Sequence, residues 1–336
     1  MNRDAISIQS LPAYQAEQFC VDIGANAGDP ISVLDELVMD DIYELEARAT
    51  TDRLELAAHV DGGFSVHGSS ALGTPDAALF LDCVVTLMPD RGAATDALIL
   101  VEVDNEGLIS QIYLVPQAPL MPCTGYRLVN ASRHNVRQRL AQMTCVAFTR
   151  GTRISMSTGE QRLIEELTPG DQILTRDSGA QTITWIGRTT VRAVGEMAPI
   201  LIRKGALNNA RDLIVSPDHR LMVYQRSDQL GTGRAELLLR ARDLVNGETV
   251  VVQDGGYVDY FQILFDRHYI IYAEGIAAES LFVDAVTKPV LPEDVRQRHV
   301  RLSRPHASRA NYGLDVKREM LTRPDAVALL RRASQR

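Results

Sequence analysis

The feature that most constrains this chain is the period of its apolar residues. LELAAHV (54–60), ALFLDCVVTLM (78–88), ALILVEVD (97–104) and SQIYLVP (110–116) are short, partly alternating runs. They are separated by DGG, MPDRGAA and DNEG, which is turn chemistry. Several such strands at near-regular spacing predict a β-sandwich-like N-terminal domain. Two stretches depart from this period. SVLDELVMDDIYELEA (32–47) spaces Val33, Leu34, Leu37, Val38 and Ile42 in a helix-like way, though the same stretch also reads as irregular. RHNVRQRLAQM (133–143) predicts a short helix with Val136, Leu140 and Met143 on one side.

Length and charge divide the chain further. Its 336 residues suit two domains with connecting segments. Residues 1–144 carry 8 Lys/Arg against 20 Asp/Glu, residues 145–290 carry 16 against 18, and residues 291–336 carry 11 against 5. The natural partition is an acidic N-terminal domain (1–140), a near-neutral second domain (145–288) and a basic tail (289–336). The tail is read as a solvated arm broken by Pro292, Pro305 and Pro324, with a grip on the acidic domain as the alternative. The overall net charge of −8 argues against a nucleic-acid partner. Cys20, Cys83, Cys123 and Cys145 stand singly with no CxxC, which argues against a disulfide framework and a structural zinc site. Asp35, Glu36, Asp40 and Asp41 lack the spacing of a calcium loop and read as a solvated acidic face. No metal or cofactor is expected. No stretch has the ~20 apolar residues of a membrane span, and no conventional signal peptide is visible. Cytoplasmic residence and leaderless export both stay open.

The second domain carries the informative motifs. It opens TCVAFTRGTRISMS, continues through LIEELTPGDQILTRD and TWIGRTTV, and later contains DLIVSPDHRLMVYQ and DYFQILFDRHYIIYAEGIAAESL. No helical period is sustained beyond about ten residues, so this domain also reads as mostly β.

In that order, FTxGTxI, a PGD turn, WIG, SPDHRL, FDRHYIIYAEG and ESL resemble the Hint (Hedgehog/intein) family over roughly 145–285. The likeness is greatest to the bacterial branch with a Hint module near a protein's C-terminus. The resemblance implies an all-β, horseshoe-like Hint fold of pseudo-two-fold symmetry, bringing the module's start and end to one site. It also implies autoprocessing. A thiol just after a peptide bond attacks the preceding carbonyl, and the resulting thioester is opened by another nucleophile. That chemistry needs the thiol, a His to protonate the departing amide nitrogen, and polar groups around the strained peptide.

Matched to the family's blocks, Ser216 and His219 of SPDH are the hydroxyl and the acid, with Pro217 fixing the turn between them. Read alone, SPDH is an ordinary surface turn. Thr152 belongs to the opening block. His268 and Asp266 match a late block in which Asp or His assists cleavage, and each also reads as a strand-end residue. The family's thiol stands five residues before the Thr, and here that position is Ala147. The available thiol is Cys145, two residues earlier and so about 6.6 Å away along a strand, where a buried structural role is also open to it. The late block contains no His-Asn pair, so complete splicing is not expected. The reading is a self-cleaving protein cutting at Thr144–Cys145, its own N-terminal domain the substrate and water or a thiol the acceptor. The alternative is a catalytically degenerate Hint module serving as a structural or interaction scaffold, in an exported protein for example.

Overall fold

The computed structural model describes residues 5–59, 61–226, 228, 231–284, 286–302, 321 and 326–334, so Pro305 and Pro324 lie outside the described residues. The chain forms two compact units: Met1–Thr144 with Asp284–Val290, and Cys145–Val283 with Leu291–Arg336. No helix among the described residues is long and apolar enough to cross a membrane.

The first unit is built from β1 (Ala5–Gln15), β2 (Phe19–Ile23), β3 (Ile42–Leu45), β4 (Asp52–His59), β5 (Phe64–Val66), β6 (Ala78–Pro89), β7 (Thr95–Val103), β8 (Ile109–Pro116) and β9 (Gly125–Ser132), followed by helix α1 (Val136–Thr144). They join one sheet in the order β2-β3-β9-β6-β5-β4-β1-β8-β7, in which β6 also pairs with β7. The path from β6 through β5, β4, β1, β8 and β7 therefore closes into a ring, which satisfies strand edges that would otherwise be open. On the arm that leads to this ring, Phe19 of β2 stacks on Tyr43 of β3 at 5.3 Å. The buried Glu102 carboxylate accepts the Tyr113 hydroxyl (2.6 Å) and the Thr74 N–H (3.1 Å), so its charge is not left unpaired. Only a short 3-10 turn at Leu34–Glu36 survives of the helical spacing in 32–47, before β3 begins. Arg133 bonds both Asp35 and Asp82, so part of the acidic face is neutralised by an ion pair.

The second unit contains β10 (Phe148–Thr149), β11 (Arg153–Ser155), β12 (Gln161–Leu163), β13 (Gln172–Thr175), β14 (Gly179–Thr182), β15 (Trp185–Arg192), β16 (Ile200–Ile202), β17 (Leu213–Val215), β18 (Arg220–Tyr224), β19 (Glu236–Arg240), β20 (Val250–Val252), β21 (Tyr257–Leu264), β22 (Ile270–Ala273) and β23 (Ile276–Glu279). One sheet runs β15-β21-β10-β17-β16-β20. The other runs β12-β11-β22-β23-β18-β19, with β13 and β14 joined to it through β22. All its pairings are antiparallel, and the sheets share a core that includes Phe148, Ile154, Ile173, Phe265 and Ile271. The hairpin β22–β23 turns on Glu274 and Gly275, with φ of 49° and 84°. Two successive positive φ values match the right-handed twist of the flanking strands. The Glu274 side chain also accepts the Arg153 N–H at 2.7 Å, tying the turn to β11.

The solvated-arm reading of the basic segment fails for its described C-terminal part. After helix α2 (Glu293–Leu302), helix α3 (Ala326–Ser334) places Ala326, Val327 and Leu330 in the core of the second unit beside Leu321, while Arg331 and Arg332 stay off it. Net charge masked a short amphipathic pattern, and burial of the apolar stripe outweighs solvation of the arginines.

Phe265 is fully buried in this core. Phe265→Ala should destabilise the second unit by about 3–5 kcal/mol, read as a lower denaturant midpoint for its unfolding. A midpoint within error of the parent would show that this core is not well packed.

Candidate functional site

The site forms where β10 is held between two strands. Phe148 pairs with Val215 of β17 on one side and with Phe261 of β21 on the other. This register sets Ala147 opposite Ser216. The Ser216 N–H donates to the Ala147 carbonyl at 2.9 Å. The return bond does not use the Ser216 carbonyl, which accepts the His219 N–H (3.0 Å) to close the Ser216-Pro217-Asp218-His219 turn. The Ala147 N–H instead donates to the Ser216 hydroxyl at 2.9 Å, and that hydroxyl donates onward to the Cys145 carbonyl at 3.1 Å. One side chain thus engages backbone groups of residues 145 and 147. An aliphatic residue at 216 would leave a buried N–H and a buried carbonyl without these partners.

The turn itself is pinned from behind. The Arg242 N–H donates to the Pro217 carbonyl at 2.9 Å, and the Arg242 guanidinium bonds the carboxylates of Asp218 and Glu196. Asp218, unremarked in the sequence reading of SPDH, is therefore an anchor of the turn. Its signal in the sequence was only the motif around it, because its partner Arg242 comes from the segment after β19.

His219 is fully buried at the start of β18. Its Nδ1 lies 3.0 Å from the Ala147 carbonyl oxygen and its Nε2 lies 3.1 Å from the Glu279 carbonyl oxygen. Phe148 packs on the ring with centroids 4.3 Å apart and planes at 57°. The imidazole therefore links the first strand of the unit to its last, bringing the two ends of the module to one place. Burial pushes the imidazole below its ordinary protonation range, opposed by the contacts to Ala147 and Glu279 and by the Glu279 charge. A neutral imidazole has a single N–H, so only the protonated ring satisfies both carbonyls at once.

The other candidates fall in different places. Cys145 is buried, and the Ser216 hydroxyl touches its backbone oxygen. Thr152 is buried one turn further on, where its N–H donates to the Thr149 carbonyl and its own carbonyl accepts from the Ile164 N–H (2.8 Å); these bonds serve the local turn and not Ser216 or His219. Asp266 is exposed and hydrogen-bonds Tyr269. His268 faces the Glu279 carboxylate, with Nε2 3.7 Å from Oε1, so it stands one residue removed from His219. Glu279 and Arg220, which lie 3.9 Å apart beside His219, escaped the sequence reading because only the β18–β23 register brings them together.

The His219 environment predicts a pH dependence of stability. The folded state disfavours the imidazolium, so below pH about 6.5 the unfolded chain binds a proton that the folded chain does not. Stability is lost as pH falls through that window, by up to about 1.4 kcal/mol per unit. Between pH 7 and 5 the thermal midpoint of the second unit should drop more steeply in the parent than in His219→Gln. Parallel curves would refute this account of the buried ring.

Comparison with protein-family models agrees with this architecture. The family model described as "Hint domain" matches residues 146–285. No curated protein matches the chain. Two solved structures are similar at 12% identity. The Ssp DnaB mini-intein variant M86 has a TM-score of 0.28, covering 41% of this chain and 97% of that one. The MchDnaB-1 intein has a TM-score of 0.27, covering 40% of this chain and 99% of that one. With its ordered motifs, its all-β fold and the family match in agreement, the stretch 146–285 of this chain is a Hint domain.

Proposed function

We propose that this Hint domain is a processing frame that lacks its junction thiol, and that it serves as a stable module rather than as an efficient self-cleaving one. One observation carries the reading. The residue whose amide and carbonyl are held by Ser216 and His219 is Ala147, and a methyl group stands where the chemistry requires a nucleophile. The strand register supports this assignment, because residue 147 is the one placed opposite Ser216.

The remaining groups fit the missing step. With a thiol at 147, its sulfur would attack the Val146 carbonyl carbon. A C–S bond forms as the C–N bond to residue 147 breaks, and the thiol proton ends on the released amine. Ser216 accepts from that amide N–H, and His219 Nδ1 lies 3.0 Å from the carbonyl oxygen of the same residue. For cleavage at Thr144–Cys145 the scissile carbonyl would belong to Thr144. Ser216 bonds the carbonyl of Cys145 instead, one residue downstream. A misplacement of about 1 Å can cost 10²-fold in rate, which makes Cys145 a poor substitute at its present position.

The test is intact mass after incubation with dithiothreitol. The parent should remain one chain, Ala147→Cys should release an N-terminal fragment ending at Val146, and Ala147→Cys with His219→Ala should release at least 10²-fold less. Rapid cleavage of the parent that vanishes in Cys145→Ala would overturn this reading and restore Cys145 as the nucleophile.

A further inference from the structure

Behind His219 lies a second layer of charge. Glu279 ends β23 and is 1% exposed; its carboxylate has Arg220 Nη1 at 3.9 Å on one oxygen and His268 Nε2 at 3.7 Å on the other. His268 is itself fixed by the edge-on ring of Phe282, at 5.4 Å. A buried carboxylate is retained only where neighbours offset its charge, and the chain supplies a cation and a titratable ring. The same residue also reaches the site through its backbone, because its carbonyl oxygen is the one facing His219 Nε2.

We propose that Glu279 is a positioning residue of this site: its backbone oxygen aims the His219 ring, and its carboxylate, set between Arg220 and His268, keeps that ring able to accept a proton inside the core. The inference rests on the reading of residue 147 as the junction position. Burial alone would hold the imidazole neutral, and a neutral imidazole has no spare proton for a departing amine. Other charged groups near the ring are already committed. On the turn before it, Asp218 is bonded to Arg242, which also bonds Glu196, and Arg240 lies 4.0 Å from Asp218. From the entry to β10 the ring meets the Ala147 carbonyl, and from β10 itself the Phe148 ring. Glu279 is thus the acidic residue that meets His219 from a packed strand. His268, matched by sequence to a cleavage-assisting role, acts on this account through Glu279.

Titration of His219 in the full chain, followed by nitrogen-detected NMR of the imidazole, tests the proposal directly. Glu279→Gln keeps the backbone oxygen and removes the charge, and should lower the His219 midpoint by about one pH unit. Glu279→Asp, which keeps the charge, should return it towards the parent value. Arg220→Met should move the midpoint upward, which keeps the test open should Glu279→Gln fail to fold. In the Ala147→Cys background, the pH profile of dithiothreitol-induced release should shift downward with Glu279→Gln by the same amount. A purely structural role would lower release at every pH without moving the profile. An unmoved midpoint with an unmoved profile overturns the proposal. Failure of Ala147→Cys to release any fragment would count against the reading of residue 147, while the NMR titration would still decide the role of Glu279.

Discussion

The pairing of residue 147 with residue 216 is the constraint on which the site depends. A two-residue strand, Phe148–Thr149, is too short to hold its own ends in register. It is secured because β17 and β21 flank it and because Ser216 extends the ladder one residue further by side chain. Pro217 has no N–H to continue that ladder, and the Ser216 carbonyl is committed to the turn. A hydroxyl that both accepts and donates is the group that meets these demands. The position of His219 follows, since the same turn delivers it to the Ala147 carbonyl.

This arrangement separates two properties that self-processing proteins combine. Holding a peptide firmly is a matter of hydrogen bonds and packing, and the domain does so. Breaking the peptide requires a nucleophile at one atom, and on the proposed reading of residue 147 the alanine there supplies none. The turn, the buried imidazole and the Arg242–Asp218–Glu196 cluster tie their neighbouring strands together whether or not a bond is ever cut.

Much of this was legible in the chain before its structure. Short alternating runs with turn chemistry between them identify an all-β chain, and Pro217 within SPDH marks the turn that carries Ser216 and His219. Counting back from Thr152 identifies Ala147 as the residue that meets them, although Thr152 itself serves the local turn. The rest depends on pairings that local sequence does not encode. That Glu279 lies beside His219 is decided by the pairing of β18 with β23, and in one dimension it is simply another acidic residue. The ring closure of the first unit rests on β6, whose long run pairs with three strands along its length. Helix α3 was hidden by its arginines, because charge counted over a window says nothing about which face is apolar.

The burial of α3 bears on where this domain ends as a physical object. The family match stops at residue 285, whereas Leu321, Ala326, Val327 and Leu330 complete the apolar interior of the same unit. A boundary drawn from motif similarity and one drawn from folding energetics therefore differ. A fragment trimmed to the matched segment would open an apolar notch beside β18, inviting self-association in place of the helix that normally seals it. The catalytic-looking half of the module borrows its solubility from a stretch that carries none of its motifs.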